Sequence, residues 1–213
     1  MNILLAGICG KMGSQIYDEL KKDLRLNIVG FDLVEPQFIH TIKNLTEINI
    51  DDYDILIDFT NKEISSKLIR LFIENKKIVI SGTTGHDKEF INDMHNLAKD
   101  LDVKFIHSVN FARGIDAYTK IVKNLNYLFD GIEMVESHDI SKLDAPSGTA
   151  LMLGDLLGID KKDIKSLRVH EVTPTHLIIF SNKNEKIMMI HQILNRKAFV
   201  DGFIDIFYKL VGD

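Results

Sequence analysis

Asn2-Ile-Leu-Leu-Ala6 runs without a break into Gly7-Ile8-Cys9-Gly10-Lys11-Met12-Gly13, and the residues that follow have the pattern of an amphipathic helix. A buried strand, a glycine-rich turn and a helix start form an arrangement that receives phosphate. Glycine lets the backbone turn tightly and approach a pyrophosphate, while the N–H groups and dipole at the helix start favour negative charge. The spacing is G-x-x-G-x-x-G rather than the commoner G-x-G-x-x-G. A plain strand-to-helix connection would use the same residues with no ligand. A P-loop is excluded, because Met12 follows Lys11 where Ser or Thr is needed and no glycine lies five residues before Gly10.

Outward from this turn, apolar runs of strand length alternate with segments of helical period. The pattern predicts strands at 2–6, 26–31, 54–58, 77–81 and 103–107, with helices at about 12–22, 62–75 and 87–99. Such alternation argues an α/β fold with a parallel sheet covered by helices, a Rossmann-type dinucleotide-binding domain. In an open parallel sheet the ligand crevice lies beyond the carboxyl ends of the strands, so residues there acquire weight. Asp32 ends the second strand, some 20 or more positions after the first glycine, where such folds place an acid that accepts hydrogen bonds from the adenosine ribose. No arginine follows it in Leu33-Val34-Glu35, which favours NADH over NADPH. A solvated acid at a strand end is the plainer alternative. Asp58-Phe59-Thr60 and Gly82-Thr83-Thr84-Gly85-His86 end two further strands. Asp87 reads as a helix cap, while the paired glycines suggest close approach of backbone to a ligand. Ser108-Val109-Asn110-Phe111 ends the strand at 103–107; Asn110 suits either a helix cap or a nicotinamide contact, and Phe111 either core or the same contact.

After residue 110 the rhythm changes. A helix is expected at about 112–128, a half-exposed strand at 131–139, a helix at 148–157, strands at 176–180 and 186–194, and a last helix at 196–211. This predicts a second α+β domain with a mixed sheet. The division is 1–110 with 195–213 for the dinucleotide-binding domain, and 111–194 for substrate binding and oligomerisation.

Glu136-Ser-His138-Asp139-Ile-Ser-Lys142-Leu-Asp-Ala-Pro-Ser147-Gly148-Thr149 concentrates proton carriers beside an anion-binding turn. An imidazole at His138 carries a proton near neutral pH, an ammonium at Lys142 donates one, and Ser147-Gly148-Thr149 offers N–H groups and hydroxyls to a carboxylate. These residues read as the reacting half of an active site.

The remaining composition mostly excludes. With 213 residues the chain can bury a full core, and a net charge of -5 without basic runs argues against nucleic acid. Its one cysteine, Cys9, forms no internal disulfide and suits a small packed side chain better than a nucleophile. No apolar stretch approaches the roughly 20 residues of a membrane span, and no signal-peptide pattern opens the chain. A soluble cytoplasmic protein is the expectation. His170, Glu171 and His176 miss the zinc-protease spacing, and Pro174 interrupts any helix, so no metal site is expected. His191 within a strand suits a core or surface position better than a catalytic one.

Taken in order, Gly7-x-x-Gly10-Lys-Met-Gly13, Asp58-Phe-Thr60, Gly82-Thr-Thr-Gly85, Asn110-Phe111 and Glu136-x-His138 through Thr149 resemble the dihydrodipicolinate reductase (4-hydroxy-tetrahydrodipicolinate reductase) family, from residue 2 to about 202. The resemblance implies reduction of a cyclic dicarboxylate imine by NADH or NADPH in lysine and diaminopimelate biosynthesis, by a tetramer. It implies Gly7, Ile8, Cys9, Gly10, Lys11 and Met12 at the pyrophosphate and Asp32 at the ribose. Gly82, Thr83, Thr84, Ser108, Val109, Asn110 and Phe111 fall on the nicotinamide side. His138 falls on the catalytic histidine, Lys142 on the proton-donating lysine, and Asp139, Ser147, Gly148 and Thr149 on substrate. The sequence departs from the family at Asp139, where relatives carry a second histidine. Lys11 replaces an arginine, losing the bidentate fork that suits phosphate. The 166–176 segment lacks a glycine-rich run, and the chain is shorter than most relatives. Two alternatives stand beside this reading: a nucleotide-binding regulatory or scaffold protein that has lost turnover, and a related amino-acid dehydrogenase.

Overall fold

The computed structural model describes residues 1–34 and 36–212; Glu35 lies outside them. The chain divides into two compact units, one of Met1–Val109 with the residues from Phe203 onward, the other of Asn110–Gly202.

The first unit is built on six parallel strands: β1 (Asn2–Ala6), β2 (Asn27–Phe31), β3 (Thr41–Ile42), β4 (Ile55–Asp58), β5 (Ile78–Ser81) and β6 (Phe105–His107). Their order in the sheet is β3-β2-β1-β4-β5-β6. Ile3, Leu4, Leu5 and Ala6 are fully buried, as a strand sandwiched on both faces requires. α1 (Gly13–Leu20), α2 (Lys62–Glu74) and α3 (Lys88–Asp100) connect these strands. α2 starts at Asn61, whose side-chain oxygen accepts from the N–H groups of Glu63 and Ile64 at 3.1 Å each. It buries Leu68, Ile69, Phe72 and Ile73, one stripe at helical spacing. Asp87 does occupy the position before α3, but its carboxylate makes no cap bond and pairs with Lys62 Nζ at 2.8 Å instead. β3 and the short 3-10 turns at 45–47 and 50–52 are additions to the expected elements.

Two glycines show why the turns close as they do. Gly7 has φ +80°, and a Cβ there would lie 2.3 Å from the Phe59 carbonyl oxygen. At Gly82 a Cβ would lie 2.2 Å from the Phe59 ring. Packing against Phe59 therefore accounts for Gly82 without a ligand.

The second unit carries α4 (Arg113–Leu125), β7 (Gly131–Asp139), α5 (Gly148–Leu157), β8 (Lys165–Val169), β9 (Thr175–Ser181) and β10 (Lys186–Gln192). The sheet order is β10-β9-β7-β8, with β7 and β8 parallel and the other pairs antiparallel, so the sheet is mixed. Ile115, Tyr118 and Val122 of α4 and Leu153 and Leu157 of α5 pack with Met134, Ile178 and Phe180 of the sheet. The other face of the sheet is apolar and open: Leu167, Val169, Met188 and Ile190 are each roughly half exposed. α6 (Lys197–Val211) begins in this unit and ends in the first, and its Val200, Phe203 and Phe207 are buried. β8 is absent from the sequence-based expectation, and α4 stops three residues before the expected 128.

Candidate functional site

In the first unit a cavity of about 840 Å³ opens over the carboxyl ends of β1, β2 and β4, lined by Gly7, Cys9, Gly10, Asp32, Thr60 and Lys43 among others. That volume is in the range of small-molecule sites. The Cys9 N–H donates to Asp32 Oδ2 at 2.9 Å, so the glycine turn and the acid expected at the ribose are in direct contact. Cys9 Sγ lies 3.4 Å from the Val34 carbonyl. Ile8 is buried, Lys11 is exposed, and Met12 precedes the first residue of α1. This glycine turn lines the cavity and is bordered by an acceptor carboxylate, which fits a dinucleotide.

Asp58 organises the neighbouring strand ends. Fully buried, it accepts from Ser65 Oγ at 2.5 Å, Ser81 Oγ at 2.6 Å and Thr60 Oγ1 at 2.6 Å. The Thr60 N–H in turn donates to Thr83 Oγ1 at 2.9 Å, which joins the β4 and β5 ends. Thr83 is buried and Thr84 exposed. The Ser108 N–H donates to the Ser81 carbonyl at 3.0 Å, bringing the 108–109 segment alongside. Asn110 and Phe111 belong to the second unit. There Asn110 Nδ2 donates to Thr149 Oγ1 at 3.1 Å and Asn110 Oδ1 accepts from the Ala112 N–H at 2.9 Å, while Phe111 is buried. Asn110 is thus tied to the turn expected at substrate.

The reacting segment spans the end of β7 and the start of α5. Alternation along β7 sends Glu136 and His138 to the same face, and His138 Nδ1 meets Glu136 Oε2. Burial works to raise the Glu136 carboxyl, but Arg168 and His138, both bonded to it, help hold it below its ordinary value. Against this ionised carboxylate His138 presents Nδ1–H, which leaves Nε2 as the acceptor. Burial lowers the His138 pKa, with Glu136 opposing and Lys142 and Arg168 assisting, which favours the neutral imidazole.

The His176 ring on β9 lies edge-on to His138 with centroids 5.5 Å apart, and its Nε2 is 3.4 Å from Ser147 Oγ. It is 2% exposed, and burial followed by repulsion from His138 and His191 pushes its pKa down to about 4. His191 stacks on it at 6.1 Å, with its own pKa lowered by burial. Among the described residues, His176 Nδ1 and His191 Nδ1 are buried without a hydrogen-bond partner.

Beyond β7 the chain turns sharply, and Asp139 shapes that turn. Its Oδ1 accepts from Ser141 N–H at 3.0 Å and Ser141 Oγ at 2.6 Å, and its Oδ2 from Glu171 N–H at 3.1 Å. These bonds lower the Asp139 pKa to about 2. Lys142 follows, 31% exposed, its Nζ 2.7 Å from Asp144 Oδ1. Ser147 caps α5 by accepting from the Ala150 N–H at 3.2 Å, and Gly148 opens the helix. Ligand-type atoms of Glu136, His138 and His176 lie within 4.8 Å of one another. Arg168 and Lys142 already bring positive charge to this group, which disfavours a divalent cation as its occupant.

Known proteins match both units. A sequence profile described as "Dihydrodipicolinate reductase, N-terminus" covers residues 1–111, and one described as "Dihydrodipicolinate reductase, C-terminus" covers 113–213. The chain belongs to the dihydrodipicolinate reductase family. A 4-hydroxy-tetrahydrodipicolinate reductase from Buchnera aphidicola subsp. Cinara cedri is 31% identical, over 94% of this chain and 88% of that protein. One from Clostridium novyi is 29% identical with the same coverage. Among solved structures, the dipicolinate-bound dihydrodipicolinate reductase from Paenisporosarcina sp. TG-14 superposes with a TM-score of 0.76 at 21% identity, over 96% of this chain and 92% of that one.

Two residues of this dihydrodipicolinate reductase family member join the site without a sequence signal that places them there. His176 misses the zinc-protease spacing, yet the β7–β9 register pairs it with Glu136. Arg168 lies on the unexpected β8, where the register pairs it with His138. Period-two alternation over Lys165–Val169 was the available signal, with Leu167 and Val169 on the face opposite Ser166 and Arg168.

Proposed function

We propose that the protein reduces the cyclic dicarboxylate imine of its family, with Lys142 as proton donor, His138 as its imidazole partner, and Ser147, Gly148 and Thr149 receiving a substrate carboxylate. The observation that carries this reading is His176, which touches both the His138 ring and the Ser147 hydroxyl. His138 and the helix start proposed to receive the carboxylate therefore adjoin through His176.

Gly7, Cys9, Gly10 and Asp32 would hold the pyrophosphate and adenosine ribose, with Gly82, Thr83, Thr84, Ser108 and Val109 toward the nicotinamide. When bound, a reduced nicotinamide supplies the two-electron hydride equivalent. The protein's own contribution is charge and proton placement. Lys142 brings the ammonium, held near Asp144. It offsets the dianionic substrate and gives up the proton; general-acid help of this kind is worth about 10² to 10⁴ in rate. His138, its pKa lowered by burial, offers Nε2 as an acceptor. Asp139 is assigned to the turn that presents Lys142 rather than to substrate, since both its oxygens serve that turn.

NADH is the preferred cofactor in this reading, supported by Asp32 beside the glycine turn, which would repel a 2′-phosphate. The chain assembles as a homo-oligomer, a tetramer on the family pattern, supported by the open apolar face of the mixed sheet. A cytoplasmic location belongs to the same proposal. Steady-state reduction of freshly generated substrate with each cofactor tests it: kcat/KM should be higher with NADH, and absence of turnover with both would refute the reading.

A further inference from the structure

The Arg168 guanidinium, 16% exposed, reaches two separate parts of the reacting segment. Nη1 donates to Glu136 Oε1 at 2.9 Å and to the Leu167 carbonyl at 2.7 Å. Nε donates to the Lys142 carbonyl at 3.3 Å, and Nη2 to the Asp144 carbonyl. The other oxygen of Glu136 holds His138. A single planar group thus bonds the carboxylate that orients the imidazole and the backbone on both sides of Leu143, beside the lysine.

Two services are separable here. Glu136 is fully buried, and a buried carboxylate without a counter-charge is strongly unfavourable. Any cation at position 168 would meet that need. The carbonyl bonds to Lys142 and Asp144 are different, because they require donors diverging in one plane from a rigid group, which lysine lacks. Asp139 and the Ile140 N–H bond to the Val169 carbonyl fix the start of the turn at 140–141, whereas Leu143 is 98% exposed and the Arg168 bonds are the ones that reach the Lys142 and Asp144 carbonyls.

We propose that Arg168 is a positioning residue: it sets the place of the Lys142 ammonium relative to the Glu136–His138 pair by clamping the 142–144 backbone to the carboxylate of Glu136. This rests on the reading that Lys142 meets the substrate. The catalytic groups remain His138 and Lys142, and Arg168 acts through the second of them.

A double-mutant cycle tests it, because a residue that works through Lys142 has nothing to act on once Lys142 is gone. Arg168→Lys keeps the charge beside Glu136 and loses the fork. It should lower kcat about tenfold with KM for NADH unchanged, and leave the His138 limb of the pH profile in place. In the Lys142→Ala background the same substitution should have no further effect. The same cycle read on the affinity for dipicolinate gives a second measurement: Arg168→Lys should weaken binding several-fold in the natural background and not at all in Lys142→Ala. Full activity of Arg168→Lys, or an equal loss in both backgrounds, would overturn the proposal. If the natural protein shows no turnover, the functional reading fails, and the dipicolinate cycle still decides the role of Arg168.

Discussion

Glu136 and His138, two positions apart on β7, turn to the same face and join carboxylate to Nδ1, while Arg168 holds the other carboxylate oxygen at 2.9 Å. The pair settles which imidazole nitrogen is free. Glu136 is also the group that opposes the lowering of the His138 pKa. Glu136→Gln removes that opposition, so the His138 midpoint should move further down, and turnover should fall about ten- to a hundredfold as the orientation loosens. NMR titration of the imidazole checks the first, and an unchanged midpoint would contradict the pairing.

His176 links pH to stability. Its folded pKa of about 4 lies below the ordinary 6.5, so the unfolded chain binds the proton more readily. Its contribution is complete above about pH 6.5 and is lost as pH falls toward 4. A gap of that size corresponds to about 3 kcal/mol. Urea unfolding at pH 7, 5.5 and 4.5 should show the decline, and His176→Asn should flatten it.

Gly7→Ala places a methyl against the Phe59 carbonyl at a positive φ. The loss should be 1 kcal/mol or more in stability, to the order of magnitude typical of such sites, together with weaker NADH binding. Thermal unfolding and fluorescence titration measure the two separately.

The apolar outer face of the mixed sheet yields a prediction about assembly. Ile190 is 58% exposed there and is paired in register with Leu177, which pairs with Val135. Ile190→Lys should convert the oligomer to smaller species in light scattering while the second unit's fold is retained by circular dichroism. A natural chain that is monomeric at micromolar concentration would remove the assembly proposal.

How much of this was legible depends on where the information lies. β1, the glycine turn and α1 announce themselves because strand, turn and helix each use residues with no better alternative. The strand end and helix start that carry Glu136 to Thr149 were equally readable, since β7 and α5 fall at the expected 131–139 and 148–157. β8 was hidden because it is only five residues long and carries just two apolar ones, Leu167 and Val169, so its alternation is brief. His176 and His191 became neighbours only through the β9–β10 register, which pairs them across the sheet. β3, two residues long, is too short to leave a period. Asp139 stands where relatives carry a second histidine, and the hydrogen bonds that occupy it come from Ser141 and from Glu171, 32 positions away.

In the proposed reduction of the cyclic imine, the proton comes from Lys142. The most direct test of that role compares NADH oxidation by the natural protein and by Lys142→Ala on freshly generated substrate, with NADH affinity measured alongside. The account predicts ready turnover by the natural protein, a fall of about 10² or more in kcat for the variant, and equal NADH affinity in both. Equal turnover by the two proteins would contradict it.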